Sequence, residues 1–270
     1  MSVSPPDAYG EVHRTILTHV RACKVIGRVQ LEADLQQIVA AVSQTTDSGD
    51  DSDQAKIDDF ISTINSRITN HGMKITQSRS QVTNETYFLF VNTLSDDIIK
   101  TNSTYSVGEL DAIKKLIDEI FESGLSYSIG LVPATQVVAA TLNKPMREAG
   151  VFIEDLVDQG WLNITVHDQV ILSMRGLCEL ERYLLDRYGI TEQDGSVYTC
   201  FQCKEIVTLG RKCCRCHTAF HYKCGDVWLK SAKLGQCPRE GCDFDWNNAA
   251  EIIGVDPDSV IAEENVESVL

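Results

Sequence analysis

Residues 213–224 read CCRCHTAFHYKC, four cysteines and two histidines in twelve positions. That is too many ligands for one tetrahedral ion and an odd share for two, so the flanking cysteines must divide them. Upstream stands Cys200-x2-Cys203, and downstream, after a spacer, Cys237-x4-Cys242. Together the ligands fall into four pairs: Cys200 with Cys203, Cys213 with Cys216, His221 with Cys224, and Cys237 with Cys242, in the order C4HC3. Two residues between ligands let a single turn present both to one metal, and eight ligands hold two zinc ions per chain. In a cross-brace, alternating pairs share an ion. Cys200, Cys203, His221 and Cys224 then hold the first zinc, and Cys213, Cys216, Cys237 and Cys242 the second. Cys214 would shorten its chelate to Cys214-x-Cys216, and His217 directly follows Cys216, so both are assigned non-ligand roles. Four-ligand sites leave no open position for activating water, so the expected zincs are structural. They stand in for a core that so short a module cannot build from hydrocarbon.

The charge pattern isolates the same region. The chain carries a net charge of −15, which argues against wholesale electrostatic binding of nucleic acid. Between Cys200 and Cys242, however, eight Lys/Arg face three Asp/Glu, and from Asp243 to Leu270 eight Asp/Glu stand with no Lys/Arg. Three thiolates with one imidazole leave the first site at −1, and four thiolates leave the second at −2. Lys204, Arg211, Lys212, Arg215 and Lys223 are expected to offset that charge, so the local basic excess does not require DNA. Residues 247–270 are expected to form an acidic, disordered tail whose apolar Ile252, Ile253, Val260 and Ile261 could dock a partner. Eight of the ten cysteines cluster in this region, which reads as metal binding in an intracellular chain. The start, MSVSPPDAYG, carries no signal-peptide pattern, and no apolar run reaches membrane-helix length, so a soluble protein with no membrane contact is expected.

Upstream, the periodicity is mainly helical with small β segments. Leu31, Leu35, Ile38, Val39 and Val42 share one helical face, and Phe60, Ile64 and Ile68 recur at four-residue steps. His71-Gly72 marks a helix end. MKITQSRS and ETYFLFVN then read as two strands across a polar turn. Helices closing on a hairpin form the pattern of a winged helix. The pattern repeats: Ser106-x-x-Glu109 is a capping box opening a helix with Leu110, Ile113, Ile117 and Phe121 inward. ATQVVAATL and MREAGVFIEDLVDQG supply two more helices, WLNITV and VILSMRG a second hairpin, and LCELERYLLDRYG a closing helix. The predicted order is a winged-helix domain over 1–100, a second over 101–189, a RING-like zinc module over 190–246 and the tail. The third helix of the second repeat carries Glu148, Glu154, Asp155 and Asp158 against Arg147, a face that phosphates would repel, and Asp58 and Asp59 oppose Arg67 in the first. Protein contacts are expected there, with any DNA contact weak or indirect. Cys23 and Cys178 read as buried small hydrophobes.

The module resembles RING and RING-variant domains, and its C4HC3 order is shared with PHD fingers. A PHD finger carries an aromatic two residues before its seventh ligand; Gly235 stands there, which argues against histone-tail reading. With NHGMKI, YFLFVNTLSDD and LVDQGWL, nearly the whole chain resembles the RING-like non-SMC subunit of the structural maintenance of chromosomes complex used in DNA repair and recombination. The resemblance implies a nuclear protein whose winged helices dock on a MAGE-family subunit, with a kleisin-type subunit completing the subcomplex. It implies a RING-type E3 ubiquitin-protein transferase that recruits a charged conjugating enzyme, with Ile206, Trp228, Leu229 and Pro238 as candidate contacts. Such a ligase has no nucleophile of its own; it acts by proximity. Gln202 beside Cys203, the x4 spacing of the last pair and Asp243 after Cys242 depart from active RING ligases. They keep open the alternative of a non-catalytic, zinc-stabilised interaction scaffold in the same complex.

Overall fold

The computed structural model describes residues 9–45, 56–93, 105–231, 235–246 and 250–256. These residues form two compact units: 9–79 with 85–93, and 80–84 with the described residues from 105 onward. No helix among them is long and apolar enough to cross a membrane.

The first unit runs α1 (Glu11–Cys23), β1 (Val25–Gly27), α2 (Arg28–Thr45), α3 (Ile57–Ile68), β2 (Met73–Arg79) and β3 (Thr86–Asn92). Its strands form one antiparallel sheet in the order β1-β3-β2. Residues three and four apart on a helix share a face, so Ile16 and Val20 of α1, Leu31 and Leu35 of α2, and Ile57, Ile61 and Ile64 of α3 converge. They meet Ile26, Ile75 and Phe88 from the sheet. The α3 face is turned from the expected one, leaving Phe60 and Ile68 half-buried at its edge. Asn65 acts as an extra strand residue: its carboxamide donates to the Ile75 carbonyl and accepts from the Ile75 N–H, both at 2.8 Å. Gly72 then turns the chain into β2 with φ of 72°, a left-handed conformation natural to glycine.

The second unit repeats this order. It runs α4 (Val107–Glu122), β4 (Ile129–Gly130), α5 (Leu131–Leu142), α6 (Met146–Asp158), β5 (Leu162–Ile164) and β6 (Gln169–Leu172), with sheet order β4-β6-β5. The expected capping box is present: Ser106 Oγ accepts from Glu109 N–H, and Glu109 Oε2 accepts from Ser106 N–H. Leu116, Ile120, Phe121, Ile153 and Leu156 lie in a core whose residual cavity of about 10 Å³ has room for no ligand. The closing helix, α7 (Met174–Tyr188), starts three residues before the expected Leu177 because Ser173 caps it, its Oγ accepting from Gly176 N–H at 2.9 Å. Gly176 fits there because a Cβ would come within 2.5 Å of the Trp161 carbonyl.

Short strands follow: β7 (Tyr198–Thr199) pairs with β8 (Ile206–Val207), and β9 (Gly210–Lys212) lies between β10 (Ala219–Phe220) and β11 (Glu251–Ile253). Helix α8 (Tyr222–Ser231) packs beside β10. Val197, Tyr198, Ile206, Phe220 and Trp246 belong to the same buried cluster as the α4–α7 helices, so this module shares a hydrocarbon core with them. The expectation that metal alone replaces its core is corrected accordingly. The expected disorder of 247–270 is also corrected in part. Glu251–Ile253 is a strand, held because Ile253 is buried and Lys212 pairs with Glu251 at 2.7 Å. Val260 and Ile261 lie outside the described residues. Cys23 is exposed at the end of α1, not buried, and Cys178 is half-buried.

Candidate metal centre

Two tight turns carry the first and second ligand pairs, and they are built alike. Lys204 N–H donates to the Cys200 carbonyl at 2.9 Å, and His217 N–H donates to the Cys213 carbonyl at 3.1 Å. The donor in each turn is left-handed, Lys204 with φ of 68° and His217 with φ of 59°. His217 thus has a backbone role in the turn, and its side chain belongs to neither ligand set. The third pair sits at the start of α8, and the fourth spans a turn through Gly241, where φ is 80°.

These turns bring together the two sets expected from spacing. The ligand atoms of Cys200, Cys203, His221 and Cys224 lie within 4.8 Å of one another, and so do those of Cys213, Cys216, Cys237 and Cys242. Cys214 is exposed and belongs to neither. A tetrahedron of sulfurs about 2.3 Å from zinc has edges of about 3.8 Å. Cys216 and Cys237 Sγ are 3.4 Å apart, and Cys213 and Cys242 Sγ 3.8 Å. In the first set His221 Nδ1 is 3.3 Å from Cys203 Sγ and 3.9 Å from Cys224 Sγ. The donor chemistry and the spacing both fit zinc, and each set can hold one ion.

The surroundings prepare the ligands. His221 is 5% exposed, and its Nε2–H donates to the Ile206 carbonyl at 3.0 Å, leaving the Nδ1 lone pair for metal. Around the second set, Arg215 N–H donates to Cys213 Sγ at 3.4 Å, and Thr218 Oγ1 lies 3.2 Å from Cys216 Sγ. Without metal the protons are unevenly shared. Burial lowers the His221 pKa, but hydrogen bonds to the Cys200 and Cys224 sulfurs outweigh it and push it up to about 10. The hydrogen bond from Cys203 holds Cys200 down to about 3, and the same contact pushes Cys203 up. Burial pushes Cys213 up to about 12. Burial also opposes ionisation of Cys216, but hydrogen bonds from Thr218 prevail and bring it down to about 7. Crowded thiols of this kind ionise together only around a cation.

Several expected neighbours play other parts. Arg215 pairs with Asp243, Lys212 with Glu251 and Lys223 with Asp226, while Lys204 lies over the Phe201 ring and Arg211 over the Tyr222 ring. The basic excess therefore serves local acids and rings as well as the site charge. Of the candidate contacts for a conjugating enzyme, Ile206 is 5% exposed and unavailable as free surface. Trp228 is half-buried, stacked on Phe220 and edge-on to Phe201, and Leu229 and Pro238 are half-buried. The outward face of α8 is Lys223, Val227 and Lys230, with Val227 55% exposed. Helical periodicity across 222–231 sets that face, whereas the resemblance to RING domains points to Trp228 and Leu229.

A helix-and-sheet scaffold whose element order repeats thus carries two four-ligand Cys/His sets, each of which could hold one metal ion with all four positions supplied by protein. Comparison with known proteins gives the particular family. The family model described as "Nse1 non-SMC component of SMC5-6 complex" matches residues 13–148. "Non-structural maintenance of chromosomes element 1 homolog" of Xenopus tropicalis is 26% identical over 192 residues, 70% of this chain and 68% of the relative. The Homo sapiens homolog is 25% identical over 195 residues, 71% of this chain and 69% of the relative. "Non-structural maintenance of chromosomes element 1" of Schizosaccharomyces pombe is 23% identical over 251 residues, 91% of this chain and 96% of the relative. A chain in a solved "Nse1-Nse3-Nse4 complex" shares the fold, with a TM-score of 0.73 at 21% identity over 90% of this chain and 99% of that one. The chain belongs to the family of Nse1 non-SMC components of the SMC5-6 complex.

Proposed function

We propose that this chain is the RING-like subunit of an SMC5-6 complex in the nucleus, acting in DNA repair and recombination. In this reading the two α-β-α-α-β-β repeats are tandem winged helices and the cysteine module is a cross-braced two-zinc domain. Its partners are an Nse3-type MAGE subunit and an Nse4-type kleisin, as in the solved complex containing its structural neighbour. The observation that carries the reading is the interleaving of the ligand pairs: first with third, second with fourth, on a scaffold that repeats one element order. Protein contact suits the repeats better than DNA, because α6 exposes Glu148, Glu154, Asp155 and Asp158 beside a single Arg147.

The proposed activity is that of a RING-type ubiquitin ligase. The chain would supply no nucleophile; it would hold a charged conjugating enzyme so that the thioester meets an acceptor amine. Lys223, Val227 and Lys230 of α8, with Leu229 and Pro238 at the rim, make the surface for that contact. The second reading, a non-catalytic scaffold, is favoured by the burial of Ile206 and the packing of Trp228 among aromatic rings. An in vitro ubiquitination assay with the full chain, with and without the MAGE-type subunit, separates the two. The ligase reading expects chains above background with partner present and loss of them in Val227→Asp. No chains with any conjugating enzyme tried would leave the scaffold.

A further inference from the structure

Gln81 lies far from the cysteine module in sequence, in the turn between β2 and β3, and residues 80–84 belong with the second unit. Three hydrogen bonds hold its carboxamide there. Oε1 accepts from Thr208 N–H at 3.0 Å and from Leu209 N–H at 2.8 Å, while Nε2 donates to the Ile206 carbonyl at 3.3 Å. That carbonyl is the one that receives His221 Nε2–H at 3.0 Å. The turn is itself fixed: Ser80 Oγ accepts from the N–H groups of Val82 and Thr83, and Val82 is buried with Ile171 and Leu209. From another direction Gly254 lies so close to the Thr208 carbonyl that a Cβ would come within 2.1 Å of it. The segment 206–209, which links Cys203 of the first set to Cys213 of the second, is thus held by side chains and backbone remote in sequence.

We propose that Gln81 is a positioning residue for the first metal centre: it fixes the 206–209 turn, and with it the Ile206 carbonyl that orients His221 toward the ion. This rests on zinc filling that centre. Without the carboxamide, Thr208 and Leu209, both buried, each lose the acceptor of an N–H. The turn relaxes, the Ile206 carbonyl is free to rotate, and His221 loses the partner that aims Nδ1. Outer-sphere partners of metal-bound histidine typically change affinity about 10- to 100-fold, and Gln81 acts one bond further out, so the expected effect is about tenfold. Linkage makes it reciprocal: filling the first centre also seats residues 80–84.

The test uses the full chain loaded with Co2+ and a chelator challenge. The d–d absorption of the ion distinguishes the first centre, with three thiolates and an imidazole, from the second, with four thiolates. Gln81→Leu keeps the apolar stem and removes all three hydrogen bonds; release from the first centre should be about tenfold faster, with release from the second unchanged. Gln81→Glu keeps the acceptor for Thr208 and Leu209 and should fall between Gln81→Leu and the parent. Equal acceleration at both centres would mean general loosening, and parental rates in Gln81→Leu would mean no role; either overturns the proposal. A parent chain showing no band from a mixed thiolate–imidazole centre would instead remove the metal reading, and the proposal with it.

Discussion

The second helical repeat and the cysteine module share one buried core but are held in different ways. In α4 through β6 the hydrocarbon is dense enough to fix the structure: Leu116, Ile117, Ile120, Phe121, Ile153 and Leu156 are essentially inaccessible. In residues 198–246 the strands are two or three residues long, too short for a sheet that stands by itself, and three turns and the start of α8 converge on two sets of cysteine and histidine ligands. The difference teaches that apolar packing accounts for only part of what holds the module, and that the two ligand sets, each able to hold a metal ion, are placed to supply the rest. Removing a ligand should then unfold the module and leave the helices standing.

The largest expected effect is that of Cys213→Ser. Loss of one thiolate from a closed four-thiolate centre should remove the second zinc and unfold the module, because structural zinc binding supplies about 10 kcal/mol or more of folding free energy. Cys214→Ser, one position along and exposed, should change stability by less than about 0.5 kcal/mol. Thermal unfolding with zinc counting compares the pair; equal damage from both would break the ligand assignment. Next in size, excess chelator should disorganise the cluster of Phe201, Phe220, Trp228 and Trp246 while helical circular dichroism from α4 to α7 persists. If both signals fall together, the two regions are not separable as described.

Proton release on metal binding distinguishes the two regions further. In the metal-free state His221 is pushed up to about 10 and Cys213 up to about 12, so both hold protons at pH 7 that zinc must displace. Zinc affinity should therefore rise with pH through neutrality, by about tenfold per unit for each proton released. Calorimetry in buffers of different ionisation heat should detect that release, and a heat independent of buffer would contradict it. The smallest effect belongs to the helices. Burial opposes ionisation of Asp118, but Arg187 at 2.6 and 2.8 Å and the Tyr188 hydroxyl at 2.5 Å hold its carboxyl below the usual range. This clamp ties α4 to the end of α7. Its contribution is present above the unfolded value of about 3.9 and lost as pH falls through the lower folded value. With Arg187 largely exposed, Asp118→Asn should cost about 1 kcal/mol at pH 7 in urea unfolding followed at the helices. The variant should keep both zincs, and an unchanged midpoint would remove the clamp.

What could be read from sequence divides along the same line. Ligand pairs announce themselves because a chelating turn is local, and helices such as α4 announce themselves through a capping box and a repeating apolar face. Strands β1 and β4, three and two residues long, carry too little pattern to be read; pairing to β3 and β6 makes them strands. The strand Glu251–Ile253 hides in an acidic segment because its partner β9 lies far back in the chain and its ion pair buries Lys212. Ile206 is a candidate contact by resemblance, and nothing local in the sequence shows that it is buried with Gln81 and His221 meeting its carbonyl. Cys23 looked buried because α1 is amphipathic, yet it falls on the exposed side of the last turn. Non-local hydrogen bonds and burial are what the sequence withholds.

The most direct measurement is native mass spectrometry of the full chain. The cross-braced assignment predicts two zinc ions per chain in the parent and in Cys214→Ser, and fewer in Cys213→Ser and in His221→Ala. One zinc in the parent, or two retained in Cys213→Ser, would contradict it.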